Sequence, residues 1–102
     1  MKLKLSAEEL PAGRKFTVLG RDAWALLELM KAGRSGCTPI DHPGPRWSAY
    51  VHALRTECGL LIETRSENHG GPFAGRHARY ILHSQVRVLS RSDRASVEAG
   101  LG

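Results

Sequence analysis

The sequence has little that would staple it, anchor it or equip it for chemistry. Two cysteines in 102 residues, Cys37 and Cys58, make no disulfide framework and are expected as reduced thiols. No apolar run approaches the ~20 residues a membrane-spanning helix needs, and the N-terminus lacks the uncharged apolar stretch of a secretory signal. The expectation is a soluble cytoplasmic protein with no membrane partner. Acidic residues are scarce: 10 against 15 basic ones, a formal charge of +5 and a pI of about 9.8. That balance favours a polyanionic partner. Eleven of the basic residues are arginine, which grips phosphate or guanine with two parallel hydrogen bonds where lysine offers a point charge.

Sites for catalysis or metal are equally wanting. No local signature places a cysteine or serine beside a histidine and an orienting acid, so an enzyme is not expected. Gly70-Gly71-Pro72 is a loop and not a phosphate cradle, because no Gly-x-x-x-x-Gly-Lys-Ser/Thr follows a strand. Cys37, His42, His52 and Cys58 are zinc-type residues, but intervals of four, nine and five residues match no zinc pattern. No metal and no cofactor are expected.

What is present is an ordered series of elements within a single small domain. The stretch from Pro45 to Gly59 reads as one helix, with Gly44 as N-cap, Pro45 at the first helical position and Gly59 as a left-handed stop. Trp47, Val51, Leu54 and Cys58 fall on one stripe, with Tyr50 at its edge, and are expected in the core. The other face carries Ser48, Ala49, His52 and Thr56, flanked by Arg46, Ala53 and Arg55. It is small, polar and neutral to basic, as a helix lying in a major groove requires.

Upstream, Asp22 to Ala32 predicts a core helix, with Ala23, Leu26, Leu27 and Met30 on its stripe and Gly33 as its stop. Lys15 to Leu19 is a short β-prone run ended by Gly20. Thr38-Pro39-Ile40-Asp41 has a capping threonine, a proline at the first helical position and an acid two residues on, so one or two helical turns begin there. His42-Pro43-Gly44-Pro45 ends them quickly. Downstream, Leu60 to Ser66 reads as a strand, Glu67 to Arg76 as a glycine-rich loop, and His77 to Leu89 as the returning strand of a β-hairpin.

Helix, short helix or turn, helix and basic hairpin resemble the winged helix-turn-helix family, in particular small stand-alone bacterial and phage proteins. The resemblance rests on Ala25-Leu26-Leu27-Glu28-Leu29-Met30, Thr38-Pro39-Ile40, Ser48 to Arg55, Gly59, Ile62-Glu63-Thr64 and Arg79-Tyr80-Ile81-Leu82. It implies an α+β fold in which Pro45 to Gly59 is the recognition helix and the hairpin is the wing, with a short strand before the first helix. It also implies double-stranded DNA as partner, contacted from the recognition helix by Arg46, Ser48, Ala49, His52, Arg55 and Thr56. From the wing the contacts are Arg65, His69, Arg76, His77 and Arg79.

The implied role is transcriptional regulation or accessory work for a mobile element, in a bacterial cytoplasm, by binding alone. Residues 35–59 carry Arg46 and Arg55 against Asp41 and Glu57 and so have no net charge. That neutrality keeps open a winged helix that docks on a protein partner, and a homodimer is compatible with either role. The expected organisation is a flexible lead over 1–14, the winged domain over 15–89 and a flexible tail over 90–102.

Overall fold

A computed structural model describes residues 3–42, 46–70 and 75–93 of the chain. Its elements are β1 (Leu3–Leu10), β2 (Arg14–Leu19), α1 (Gly20–Ala32), a 3-10 turn (Gly33–Ser35), α2 (Trp47–Thr56), β3 (Ile62–His69), β4 (Gly75–Leu82) and β5 (Gln85–Asp93). Two antiparallel sheets form, one of order β2-β1-β5 and one hairpin, β3-β4. The fold is α+β, with the strand expected before α1 present as β2.

The lead expected to be flexible is, from Leu3 onward, the central strand of the larger sheet. β1 pairs with β2 from Lys4↔Leu19 to Glu9↔Arg14, and with β5 from Leu3↔Asp93 to Leu10↔Gln85. Leu3, Leu5 and Ala7 alternate into the core, a period-2 signal too short to stand out in the sequence. Its main partner comes from the far end of the chain, which no local pattern announces. The register shifts between Ser6 and Ala7, where Ser90 and Val88 are the partners. Leu89 is thus the extra residue of a β-bulge and stays half-exposed.

A second correction concerns the strand expected from His77 to Leu89. It is two strands, β4 and β5, broken at His83-Ser84. The amides of both residues turn back to the Leu61 carbonyl (2.8 and 3.4 Å), and Ser84 Oγ accepts the Leu61 amide at 2.8 Å. The chain is thereby redirected from the hairpin to the β1 edge. The loop expected over 67–76 is also shorter: Glu67 to His69 and Gly75-Arg76 are paired in the hairpin. Residues 71–74 lie outside the described residues. Of the tail expected from Ser90, residues 90–93 belong to β5 and the remainder lies outside the described residues.

α2 follows its expected apolar stripe, whereas the buried face of α1 is rotated: Leu27 and Met30, expected in the core, are half-buried, and Ala25 and Leu29 are buried instead. α1 buries Ala23, Ala25, Leu26 and Leu29, with Asp22 in its first turn and Lys31 in its last. Gly33, at φ +57°, ends it and donates its amide to the Leu29 carbonyl. Between the helices, after the 3-10 turn, Thr38 to His42 forms a further turn: the Thr38 carbonyl accepts the His42 amide at 2.8 Å and Thr38 Oγ1 accepts the Asp41 amide at 3.0 Å. Among the described residues, the short second helix expected from Thr38 is reduced to that turn. The start expected at Pro45 is displaced: Arg46, at φ −145° and ψ 51°, is not helical, so α2 begins at Trp47, while Gly44 and Pro45 themselves lie outside the described residues.

α2 buries Trp47, Tyr50, Val51 and Leu54, and Cys58 beyond it is also buried. Trp47 is the centre of an aromatic group. It stacks on Tyr80 of β4 (centroids 6.0 Å apart, planes at 17°) and meets Trp24 of α1 at 5.4 Å. Contacts of this kind contribute roughly 0.5–1.5 kcal/mol each beyond area burial. They lock α1, α2 and the base of the hairpin to one another, and one core runs from Leu3 and Leu5 of the sheet to Ile62 and Tyr80 of the hairpin.

Candidate nucleic-acid interface

Burying the stripe Trp47, Tyr50, Val51 and Leu54 turns Ser48 and His52 outward, with Arg46, Arg55 and Thr56 also exposed and Ala49 and Ala53 half-buried. The exposed face of α2 is therefore the one the sequence expects. Its residues differ in freedom. Arg46 and His52 have no side-chain partner among the described residues. Thr56 Oγ1 donates to the His52 carbonyl of its own helix at 2.9 Å. Arg55 reaches across to β3: Nε and Nη2 donate to the Ile62 carbonyl, at 3.1 and 2.5 Å, and Nη2 also donates to Thr64 Oγ1 at 2.6 Å. The outer face of α2 thus runs directly into the hairpin at Thr64.

Strand alternation then sorts the hairpin. Ile62, Thr64, Ser66 and Asn68 share one face with Leu82, Tyr80, Ala78 and Arg76, their register partners. At its base this face packs into the core through Ile62 and Tyr80. Farther out Ser66, Asn68 and Arg76 are exposed on the side that Arg55 holds. Glu63, Arg65 and Glu67 fall on the reverse face with Ile81, Arg79 and His77.

The reverse face is a ladder of charges that satisfy one another. Arg79 forms a forked pair with Glu67, Nε to Oε2 at 2.5 Å and Nη2 to Oε1 at 3.1 Å, while its Nη1 donates to the Ser35 carbonyl at 2.7 Å. His77 Nε2 lies 3.1 Å from Glu67 Oε1. Arg65 Nε and Nη2 hold Glu63 Oε2 at 3.1 and 2.9 Å, and His83 Nε2 meets the other oxygen at 2.7 Å. The hydrogen bond from Arg79 holds Glu67 below the usual glutamate range, and bonds from His83 and then Arg65 do the same for Glu63. Of Arg65, Arg76, His77 and Arg79, expected from sequence as wing contacts, Arg76 is the one that shares the α2 side. Arg65, His77 and Arg79 lie behind it in ion pairs, and His69 closes β3 opposite Gly75.

Sequence reading missed Thr64, Ser66 and Asn68, which the register places beside Arg76, and Arg14, which ties the sheet to α2. Arg14 pairs with Glu9 at 2.6 Å, donates to the Cys58 carbonyl and sits 5.8 Å above the Phe16 ring. The two thiols are buried and unpaired, and burial pushes Cys37 up to about 11, so it is inert at neutral pH. Among the described residues no three metal-ligating side chains gather, and no helix is long and apolar enough to cross a membrane.

The arrangement of α1, a turn, α2 and the β3-β4 hairpin has a counterpart among known families. A family model described as a winged helix domain matches residues 15–92, and the chain belongs to that family. No curated protein and no solved structure matches it. The match runs from the second residue of β2 through most of β5, so it includes α1, α2 and the β3-β4 hairpin.

Proposed function

We propose that the protein binds double-stranded DNA, with α2 in the major groove and the hairpin against the flanking backbone. The observation that carries this reading is the continuity of one small, polar and basic surface. It passes from Arg46, Ser48 and His52 on α2, through Arg55 and Thr64, to Ser66, Asn68 and Arg76 on the near face of the hairpin. Ser48, Ala49, His52 and Thr56 face base edges, and Ala49 lets the helix backbone come close. Arg46 and Arg76 neutralise phosphates on either side, and Arg55 keeps Nη1 for a third. Arg65, His77 and Arg79 shape the hairpin from behind. The role is that of a transcriptional regulator or mobile-element accessory factor in a bacterial cytoplasm, acting by binding without a cofactor.

A second reading, a winged helix that docks on a protein, is favoured by two observations. Arg65 and Arg79 are already paired with acids, and residues 35–59 have no net charge. Binding to random-sequence duplex across a salt series separates the two. DNA binding through Arg46 and Arg76 requires a log-linear fall in affinity, and the Arg46→Ala/Arg76→Ala double variant a slope shallower by about 2. Absence of binding at low salt would reject the DNA reading.

A further inference from the structure

The outward face of α2 offers methyl groups where forked hydrogen bonds would otherwise read a base. Two-point recognition of a base edge needs the planar head of Arg, Asn or Gln. α2 carries no Asn or Gln, and its one arginine, Arg55, has Nε and Nη2 committed to the Ile62 carbonyl, with Nη2 also on Thr64 Oγ1. Nη1 alone remains, which cannot fork onto guanine. Arg46 is free but precedes the first turn. In the helix itself, Ala49, Ala53 and Thr56 recur at i, i+4 and i+7 and so form one stripe. It runs on the side of α2 away from buried Trp47, Val51 and Leu54. Thr56 Oγ1 donates to the His52 carbonyl at 2.9 Å, which spends its hydroxyl proton within the helix and leaves the methyl as the group it can offer.

Resting on the DNA reading, we propose that this stripe recognises 5-methylpyrimidines in the major groove: thymine, or 5-methylcytosine in its place. The C5-methyl is the one methyl group that base edges show there, and alanine and threonine methyls meet it by apolar contact. Ala49 and Ala53 are half-buried but carry no bulk, so the helix can come close enough for their methyls to touch it. Each such contact removes apolar surface of both partners from water. From Ala49 to Thr56 the helix rises roughly 10 Å, about three base-pair steps, so the stripe spans up to three adjacent positions. A methyl contact carries no hydrogen-bond information. Thymine and 5-methylcytosine are therefore accepted alike, and uracil and unmodified cytosine are discriminated against.

The test uses the full chain and sites selected from a random duplex library at low salt. The best site is synthesised with each enriched thymine replaced in turn by uracil, which deletes the methyl and leaves base pairing intact. Each replacement under the stripe should raise Kd about fourfold, the effect of one buried methyl. Exchanging the same T·A pair for C·G should weaken binding, and C5-methylation of that cytosine should strengthen it again about fourfold. Thr56→Ser keeps the hydroxyl and removes the methyl, so at one position thymine and uracil should bind equally while the salt slope is unchanged. Ala49→Gly tests the other end of the stripe in the same way, with circular dichroism confirming that α2 persists. The proposal is overturned by any of four results: no enriched thymine, uracil within about 1.5-fold of thymine at every enriched position, no response to cytosine methylation, or wild-type discrimination in both variants. In each of these, salt-dependent binding to the library leaves the DNA reading standing; no binding to the library at low salt overturns both.

Discussion

Arg55 on α2 donates Nη2 to Thr64 Oγ1 of β3 at 2.6 Å, and the same side chain caps the Ile62 carbonyl. One residue therefore sets the angle between the outer face of α2 and the hairpin. Arg55→Ala should lower stability by about 1 kcal/mol, the modest figure appropriate to a charged donor on an exposed side chain. Lysine cannot reproduce the fork, so Arg55→Lys is expected to lose most of the same amount. Urea unfolding of both variants checks this, and a wild-type midpoint for Arg55→Lys would contradict the clamp.

The two faces of the hairpin should separate in their response to mutation. Arg76→Ala is expected to lower the salt slope of DNA binding by about 0.9 and to leave unfolding unchanged. Arg79→Ala removes the fork on Glu67 and the tie to Ser35, so its effect should appear in hairpin stability, read as faster amide exchange in β3 and β4. Identical behaviour of the two variants in both assays would show that strand alternation does not divide the wing.

Gly36 has φ +72° and ψ near 180°, a conformation almost restricted to glycine, and backbone and side-chain atoms of β4 leave no room for a Cβ. Gly36→Ala should cost about 3 kcal/mol and lower Tm by more than about 10 °C. A Tm within a few degrees of wild type would mean that the turn can relax away from the hairpin.

Acid should loosen the wing. Glu63 and Glu67 are held below their ordinary range by partners in the folded state. Their stabilising contribution is present above the unfolded glutamate value, about 4.3, and is lost as pH falls through the lower folded values. Amide exchange in β3 and β4 is therefore expected to accelerate below about pH 4 before that of α1. Glu63→Gln/Glu67→Gln should remove this differential response.

Asp22 presents the opposite sign. Burial, and then the neighbouring Glu57 carboxylate, raise it, so the ionised form is disfavoured in the folded protein. The resulting deficit is present above the folded value and is relieved as pH falls through it. Asp22→Asn should raise Tm at neutral pH, by an amount that shrinks toward pH 4. A variant less stable than wild type at neutral pH would show that the favourable interaction with the α1 N-terminus prevails.

Legible in the sequence were the presence of both helices, the stop at Gly59, the buried stripe of α2 and its polar outer face, though not the first residue of α2 or the full buried face of α1. These rest on periodicity, end signals and local backbone preference within one segment. Gly59 does sit at φ +68°, and Leu60 beyond it folds its amide back to the Leu54 carbonyl. Tertiary structure decided what depends on pairing between distant segments. It made Leu3–Leu10 a central strand by supplying β5, and it split residues 77–89 by giving Leu61 as the acceptor at the turn. It also divided the arginines of the wing between an open face and a paired one. Composition counts Arg65, Arg76 and Arg79 as equal charges, whereas the register of β3 against β4 fixes which side each faces and which acid it meets.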